Sequence, residues 1–113
     1  MPKYTLLIYG DSAQWEAMTD EQWRAHDAAH AEFRAAAGDR VLGGQQLEPS
    51  PTATTLRSTG TLDGPFLETK EALGGFYMIE ATDLDEVLGL AKLLPEVRAA
   101  HSGVEIRPVI DHE

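Results

Sequence analysis

The sequence predicts a single α+β domain in which strands and helices follow the order β-α-β-β-α-β. The chain has 113 residues, which fits one domain, and its 42% apolar and 25% charged residues are typical of a globular protein. Runs rich in β-branched and aromatic residues alternate with two segments of helical periodicity. No internal repeat, linker or low-complexity segment divides the sequence, so we expect one domain over residues 1–113.

The first half begins with a strand and a capped helix. Lys3–Tyr9 is rich in β-formers and is followed by a glycine that ends the strand. Thr19 and Gln22 have the spacing of a capping box, and Gly38 is a natural stop, so we predict a helix between these points. Ser12–Met18 is expected to add a preceding turn of helix. One face of the main helix contains Trp23, His26, Ala29, His30, Phe33 and Ala37.

The middle of the chain is predicted to contain a weak strand, a second β segment and one long loop. Arg40–Leu47 is the strand, and its paired glycines predict a bulge. Thr52–Ser58 is β-rich, and we interpret it as the continuation or the partner of that strand. Thr59–Leu73 shows no periodicity, and irregular stretches of this length in small domains are often functional.

The second half again has a strand, a helix and a strand. Gly74–Glu80 is a strand, Thr82 with Asp85 has capping-box spacing, Pro95 interrupts the helix, and Val104–Val109 is the last strand. Apolar residues at helical spacing are Leu84, Val87, Leu88, Ala91 and Leu94. The order predicts a ferredoxin-like split β-α-β sheet with both helices on one face, because right-handed crossovers bring the helices to the same side.

The other face of this sheet is predicted to be a dimer interface. Its apolar candidates are Leu7, Tyr9, Tyr77, Ile79 and Val109. Two helices cover only one face of so small a sheet, and exposed apolar area of this extent usually marks an interface. We therefore expect a two-fold homodimer that forms a dimeric α+β barrel.

Charge and composition exclude several classes of function. The net charge is −10, from 19 acidic and 9 basic residues, and the cations are scattered, so we do not expect direct nucleic-acid binding. Without cysteine, the chain has no disulfide, thiolate nucleophile or thiolate metal ligand. No apolar run approaches the roughly 18 residues of a membrane span, and the start lacks a signal region. We therefore expect a cytoplasmic protein without membrane contact.

Three closely spaced groups of residues carry a resemblance to a known family. They are Asp63-Gly-Pro-Phe66, Glu68-Thr-Lys-Glu71 and Leu73-Gly-Gly-Phe-Tyr77, and the opening and closing strands fit the same pattern. Together they resemble the DGPF group of YCII-related proteins over essentially the whole chain. The resemblance implies a dimeric ferredoxin-like fold with a pocket near the sheet and the dimer interface.

The resemblance also implies two kinds of function. Some YCII relatives look like enzymes built around a histidine on the first helix and an aspartate near the second. Here His30 matches the histidine, whereas Leu94 stands where the aspartate would fall. Members of the group also occur near or fused to sigma factors, which suggests a role linked to transcription.

His26 and His30 form a His-Asp-Ala-Ala-His motif with two imidazoles one helical turn apart. The spacing is similar to that of zinc-binding helices, but no third ligand is evident nearby, so we expect no metal and no other cofactor. One interpretation leaves one histidine partly buried beside Phe33 and the other solvated. The other makes His30 a pocket acid or base, because imidazole exchanges a proton near neutral pH.

The long loop supplies three further candidate site residues. Asp63, Lys70 and Glu71 are predicted to line the mouth of a pocket. In the alternative interpretation, the Asp-Gly-Pro turn is a structural clasp that is capped by Phe66.

The strands supply the last candidates. Arg57 and Arg107 would form an anion site if they shared a face with Tyr77. Solvated or salt-bridged arginines, and a tyrosine in the core or the interface, are the alternatives.

These observations lead to two hypotheses. The first is a homodimer with a small-molecule pocket and lyase- or hydrolase-like acid–base catalysis at His30. The second is a non-enzymatic regulatory or interaction module that contacts a sigma factor, because the chain lacks a complete set of catalytic residues.

Overall fold

The computed structural model describes residues 1–112 and places the helices against one face of an antiparallel sheet. The elements are β1 (Lys3–Asp11), α1 (Ser12–Glu16), α2 (Asp20–Ala37), β2 (Val41–Gln46), β3 (Thr54–Arg57), β4 (Gly60–Asp63), β5 (Glu71–Glu80), α3 (Leu84–Ala91) and β6 (Ser102–Pro108). Short 3₁₀ turns cover Gly38–Arg40, Ser50–Thr52 and Pro95–Val97. The main sheet has the strand order β2-β5-β1-β6. This arrangement confirms the predicted ferredoxin-like α+β class.

The main sheet has one face against the helices and one face without helices. In the antiparallel register, Tyr4 lies opposite Ile79 and Leu6 lies opposite Tyr77, and all four side chains are buried beneath the helices. The core is completed by Ile8, Phe33, Ala81, Val87, Ala91 and Leu94. Because successive strand residues alternate between faces, these pairs place the even residues of β1 with the odd residues of β5.

The predicted composition of the second face is therefore partly wrong. Tyr77 and Ile79 point to the helices, and Val109 lies beyond the end of β6. Leu7 and Phe76 are cross-strand neighbours on the face away from the helices, which we call the open face. Its half-buried apolar residues include Leu7, Tyr9, Phe76 and Met78. The error arose because each strand is apolar on both sides, so the sequence alone did not define the register.

Helix α2 begins and ends where the sequence predicts. Thr19 accepts a hydrogen bond from the backbone N–H of Gln22, and the Gln22 side chain accepts one from the backbone N–H of Thr19. Gly38, in the left-handed region at φ 57°, ends the helix. The cap fixes which α2 residues face the sheet, and Phe33 is fully buried there.

The N-terminus of helix α3 differs from the prediction. Asp83, not Thr82, is the N-cap, and its carboxylate accepts from the backbone N–H of Glu86. Aspartate is a strong N-cap residue, so the helix begins one residue later than the capping-box spacing suggests. Two leucines of the predicted apolar stripe, Leu84 and Leu88, are exposed.

The middle of the chain departs most from its prediction. The bulge in β2 is confirmed, with the register shifting between Val41 and Gly43. However, residues 52–58 neither continue β2 nor pair with it, because β3 and β4 form a separate two-stranded hairpin. Residues 59–73 are not one irregular loop either, since they contain β4 and the start of β5. The two turn residues, Ser58 and Thr59, are not a common hairpin dipeptide, and Gly60 follows them at φ 136° as the first residue of β4, so the sequence gives no strong turn signal there.

No helix among residues 1–112 is long and apolar enough to cross a membrane.

Candidate functional site

A cavity of about 780 Å³ lies between α2 and the β2–β5 half of the main sheet. We call it the cavity. Two tryptophans, Trp15 from α1 and Trp23 from α2, contribute aromatic walls. Its polar lining includes His26, His30, Arg34, Tyr77 and Glu96, which come from three parts of the fold. Cavities of this size, mostly apolar and with a few converging polar groups, are typical small-molecule sites.

Glycines in the sheet make room for the Trp15 wall. A Cβ atom on Gly10 would lie 2.5 Å from the Trp15 ring, and one on Gly74 would lie 2.6 Å from it. The ring also makes an edge contact with His101 at 5.7 Å between centroids. Larger residues at either glycine would displace Trp15 and reshape the cavity.

Helix α2 presents three functional side chains in a row. His26, His30 and Arg34 are spaced four residues apart, so they lie on one face over consecutive turns. All three line the cavity. The imidazoles of the two histidines are 4.8 Å apart between centroids, and Trp23 makes an edge contact with His26 at 5.1 Å.

A buried glutamate holds both imidazoles. Glu96, in the turn after α3, is only 4% exposed. Its Oε2 atom lies 2.8 Å from Nε2 of His30 and 3.1 Å from Nε2 of His26. Burial alone would raise the pKa of the Glu96 carboxyl, but the hydrogen bonds from His26 and His30 outweigh it and lower the pKa to about 2. Glu96 is therefore a carboxylate at neutral pH.

The hydroxyl of Tyr77 is hydrogen-bonded to Nδ1, the other ring nitrogen of His30. The tyrosine oxygen lies 2.7 Å from Nδ1 of His30, and Nη1 of Arg34 donates to the same hydroxyl at 3.2 Å. Burial raises the pKa of Tyr77, Arg34 opposes this by hydrogen bonding and charge, and the charge of Glu96 adds to the rise. Tyr77 is thus protonated at neutral pH, and its ring packs on Phe33 at 4.7 Å.

The hydrogen-bond partners assign the proton positions. A guanidinium only donates, so the Tyr77 oxygen accepts from Arg34 and its hydroxyl proton goes to Nδ1 of His30. A carboxylate only accepts, so Nε2 of His30 carries the proton that is donated to Glu96. Arg34, Tyr77, His30 and Glu96 therefore form one directional chain of hydrogen bonds.

The same side chains include a possible set of metal ligands. His26, His30 and Glu96 offer ligand atoms that all lie within 4.8 Å of one another. The expectation that no third ligand lies near the two histidines is wrong, because Glu96 supplies one from 66 residues beyond His30. A bound ion would have to displace the hydrogen bonds that the carboxylate already makes with both imidazoles. Two histidines and one carboxylate are a donor set suited to zinc or iron.

The structure brings together only two of the six predicted site residues. His30 and Tyr77 line the cavity, whereas Asp63, Lys70 and Glu71 do not. Arg57, the sixth, is also outside the lining, and its guanidinium lies over the Phe66 ring, 4.2 Å from the centroid. In the strand register, Asp63 lies opposite Thr54 in the β3–β4 hairpin, and Glu71 lies opposite Asp11 at the start of β5.

The arginine expectations are corrected as well. Arg107 pairs with Glu105 at 2.7 Å and lies opposite Thr5, on the open face. Neither Arg57 nor Arg107 shares a face with Tyr77, and the cation beside that tyrosine is Arg34. His26 is not solvated, since its side chain is only 14% exposed.

Sequence reasoning missed Arg34, Glu96 and Trp15. Arg34 had a usable signal, because it continues the four-residue spacing of His26 and His30. Glu96 had none, since its position depends on how α3 and the following turn pack against α2. Leu94, where the family resemblance implies an aspartate, is fully buried and precedes that turn, so it anchors the turn in the core.

Comparisons with known proteins identify relatives of this chain. The model of the YCII-related domain family matches residues 3–113. An uncharacterised protein of Rhizobium meliloti (strain 1021) is 33% identical over 113 residues, which cover 94% of this chain and 90% of that protein.

One solved structure is similar in overall arrangement. It is the 5-chloro-2-hydroxyhydroquinone dehydrochlorinase of Burkholderia phenoliruptrix AC1100 in complex with 2,5-dihydroxybenzoquinone, at 20% identity and a TM-score of 0.49, covering 96% of this chain and 95% of that chain. The family match spans nearly all of the sequence, and the chain therefore belongs to the YCII-related domain family.

Proposed function

We propose that this protein is an enzyme that performs acid–base catalysis of lyase or hydrolase type on a small molecule in the cavity. His30 is the group that gains and loses the proton. One observation carries the proposal: Glu96, His30 and Tyr77 form an unbroken hydrogen-bond chain that opens into the cavity. A base that is oriented by a carboxylate and hydrogen-bonded to a hydroxyl is a recurring catalytic arrangement.

Glu96 orients His30 in this proposal. The carboxylate holds the proton on Nε2, so Nδ1 has a lone pair available to accept a proton. When His30 becomes protonated, the adjacent negative charge of Glu96 stabilises the imidazolium. Glu96 thus takes the place of the aspartate that the family resemblance implies at the position of Leu94.

Tyr77 passes the proton. Both ring nitrogens of His30 have protein partners, so the oxygen of Tyr77 is the group of this chain that meets a molecule in the cavity. A molecule in the cavity gives a proton to the Tyr77 oxygen while Tyr77 gives its own proton to Nδ1 of His30. The products of this step are a deprotonated substrate, an unchanged tyrosine and a His30 imidazolium paired with Glu96. The reverse transfer protonates a leaving group or a carbanion.

Deuterium exchange tests this chemistry directly, because it follows the proton transfer and does not require the overall reaction to be identified. Small molecules that raise the melting temperature are first selected by thermal shift, because binding to the folded state stabilises it. Each is then incubated in D₂O with the protein, and incorporation at carbon is measured by NMR. Wild type and His112→Gln should catalyse exchange, whereas His30→Gln should be slower by about 100-fold or more. Equal rates for His30→Gln and His112→Gln would remove the proposal.

The proposal includes a two-fold homodimer built on the open face. Leu7, Tyr9, Phe76 and Met78 form an apolar group on that side of the sheet, and the helices lie on the other side. A second copy packed face to face would bury the same residues on both chains. Interfaces of this kind typically bury about 800 Å² on each partner.

A second candidate function is an interaction module, and the β3–β4 hairpin favours it. Leu56 is 78% exposed, and Leu62, Phe66 and Leu67 are also exposed around the same hairpin. Exposed apolar clusters often mark partner sites. A sigma factor is the partner that the family resemblance suggests. Pull-down with purified sigma factors, comparing wild type with Leu56→Ser, tests it, and failure of wild type to capture any of them would contradict it.

A further inference from the structure

Arg34 is a cation at the cavity without a carboxylate partner. It is the only arginine or lysine in the described lining of the cavity. Among residues 1–112, its hydrogen-bond partner is the Tyr77 hydroxyl, and no acidic side chain lies within salt-bridge distance. Arg40 and Arg107, in contrast, pair with Glu86 and Glu105. In a chain with 19 acidic and 9 basic residues, Arg34 thus places an uncompensated positive charge at the cavity.

The acidic residues of the cavity do not cancel this charge. Glu96 is buried, and its carboxylate is engaged by the two imidazoles. Glu16, Asp27 and Glu48 also line the cavity, but they are exposed, so water and salt screen them. Arg34 is exposed as well, so its preference for an anion would come from direct, charge-assisted hydrogen bonds and not from its charge at a distance.

The donors of Arg34 outnumber the bonds that it makes. A guanidinium has five N–H groups in a planar fork that fits both oxygens of a carboxylate. Arg34 uses one of them on Tyr77, at 3.2 Å from Nη1. The others are available to a molecule in the cavity, and Trp15 and Trp23 offer apolar contacts to the rest of that molecule.

We propose that the guanidinium of Arg34, which lies beside the hydroxyl of Tyr77, forms a carboxylate-binding subsite, and that the substrate is a small carboxylic acid with an apolar body. The identification as a substrate rests on the proposed function, whereas the binding site itself does not. Tyr77 touches both Arg34 and His30, so the carboxylate lies next to the atoms that exchange the proton. The substrate therefore reacts at a position close to its carboxylate.

Benzoate and benzamide provide a matched pair of probes. They have nearly the same shape, but only benzoate carries a negative charge at neutral pH. Affinities are measured by chemical-shift titration of the backbone and tryptophan N–H signals. Wild type should bind benzoate about 10-fold to 100-fold more tightly than benzamide, which is the range expected for charge-assisted hydrogen bonds.

Variants of two arginines on helix α2 show whether Arg34 causes the preference for benzoate over benzamide. Arg34→Gln should remove the preference for benzoate, and Arg34→Lys should retain part of it, because it keeps the charge but not the fork. Arg24→Gln is the control, since Arg24 is exposed on α2 and does not line the cavity. The backbone spectra show whether each variant is folded, and the Arg34→Lys measurement stands if Arg34→Gln does not fold.

Three results would overturn the subsite. They are no binding of benzoate to wild type, equal affinity for benzoate and benzamide, and an unchanged benzoate preference in both folded Arg34 variants. Failure of the proposed function is distinguishable from these results. A protein that prefers benzoate through Arg34 but exchanges no deuterium in any ligand has the subsite without the catalysis.

Discussion

The hydroxyl of Tyr77 lies 2.7 Å from Nδ1 of His30, although 47 residues separate them in the sequence. One comes from the central strand β5 and the other from helix α2, so the contact depends on the packing of the helix on the sheet. The contact leaves His30 hydrogen-bonded at both nitrogens, because Glu96 occupies the other one. Both partners of His30 can be tested separately.

Acid should destabilise the protein through Glu96. The pKa of this carboxyl is about 2 in the folded protein, against an ordinary value of 4.5. A pKa that is lower in the folded state means that the carboxylate stabilises the fold above about pH 4.5, and that this contribution is lost as the pH falls towards 2. The lost contribution is about 3 kcal/mol in the free energy of unfolding, measured by urea denaturation between pH 7 and pH 2.5.

The control for acid destabilisation is a comparison of two glutamate variants. Glu96→Gln should be less stable than wild type at pH 7, and the difference should shrink below pH 4.5 as wild type becomes protonated. Glu32→Gln removes an exposed acid from α2 and should follow the wild-type curve closely. A gap between wild type and Glu96→Gln that stays constant from pH 7 to pH 2.5 would contradict the assignment.

Tyr77→Phe removes the hydroxyl but keeps the ring, so it should show what the hydroxyl alone contributes to stability and to catalysis. The ring remains against Phe33, so we expect a loss of only about 1 to 2 kcal/mol in the free energy of unfolding, from the hydrogen bonds to His30 and Arg34. Deuterium exchange into a bound ligand should fall by about 100-fold or more. Unchanged exchange in a folded Tyr77→Phe protein would show that Tyr77 does not pass the proton.

A lysine on the open face should break the proposed homodimer. Phe76 lies opposite Leu7 in the centre of that face, so Phe76→Lys would bury a charge in the interface. Sedimentation at micromolar concentration should give wild type twice the chain mass of 12.3 kDa, and the variant mostly monomeric. Leu84→Lys, at an exposed site on α3, should remain dimeric. A wild-type monomer would contradict the dimer outright.

The protein is expected to bind no stoichiometric metal, despite the ligand set of His26, His30 and Glu96. The Glu96 carboxylate is already satisfied on one oxygen by both imidazoles, and an ion would have to replace those bonds. Elemental analysis of protein purified without added metal should find well under one equivalent of zinc. One equivalent in wild type that is lost in His26→Ala would reverse this expectation.

The fold could be predicted from the sequence because its signals are local. The capping box of Thr19, the stop at Gly38 and the bulge of β2 each depend on neighbouring residues, and the structure confirms them. The faces of β5 could not be predicted, since Tyr77 and Phe76 are both aromatic and only the pairing with β1 decides which one is buried. Apolarity on both faces removed the signal that sets the register.

Apart from Tyr77 of β5, the site could be predicted only where it lies on α2. His30 and Arg34 follow from the spacing along α2, although only His30 was identified. Glu96 could not be found in this way, because it reaches His30 through the packing of α3 and its following turn. The loop residues Asp63, Lys70 and Glu71 were selected for the length of the loop, which the structure divides between two strands.

The protonation state of His30 tests the central claim most directly. Long-range ¹H–¹⁵N correlation spectra of ¹⁵N-labelled protein at neutral pH distinguish the two neutral tautomers of a histidine. We predict that His30 carries its proton on Nε2, where Glu96 accepts it, and that Nδ1 has the shift of a hydrogen-bond acceptor. This pattern should change in both Glu96→Gln and Tyr77→Phe. A His30 with the proton on Nδ1, or with signals averaged over both tautomers, would contradict the account.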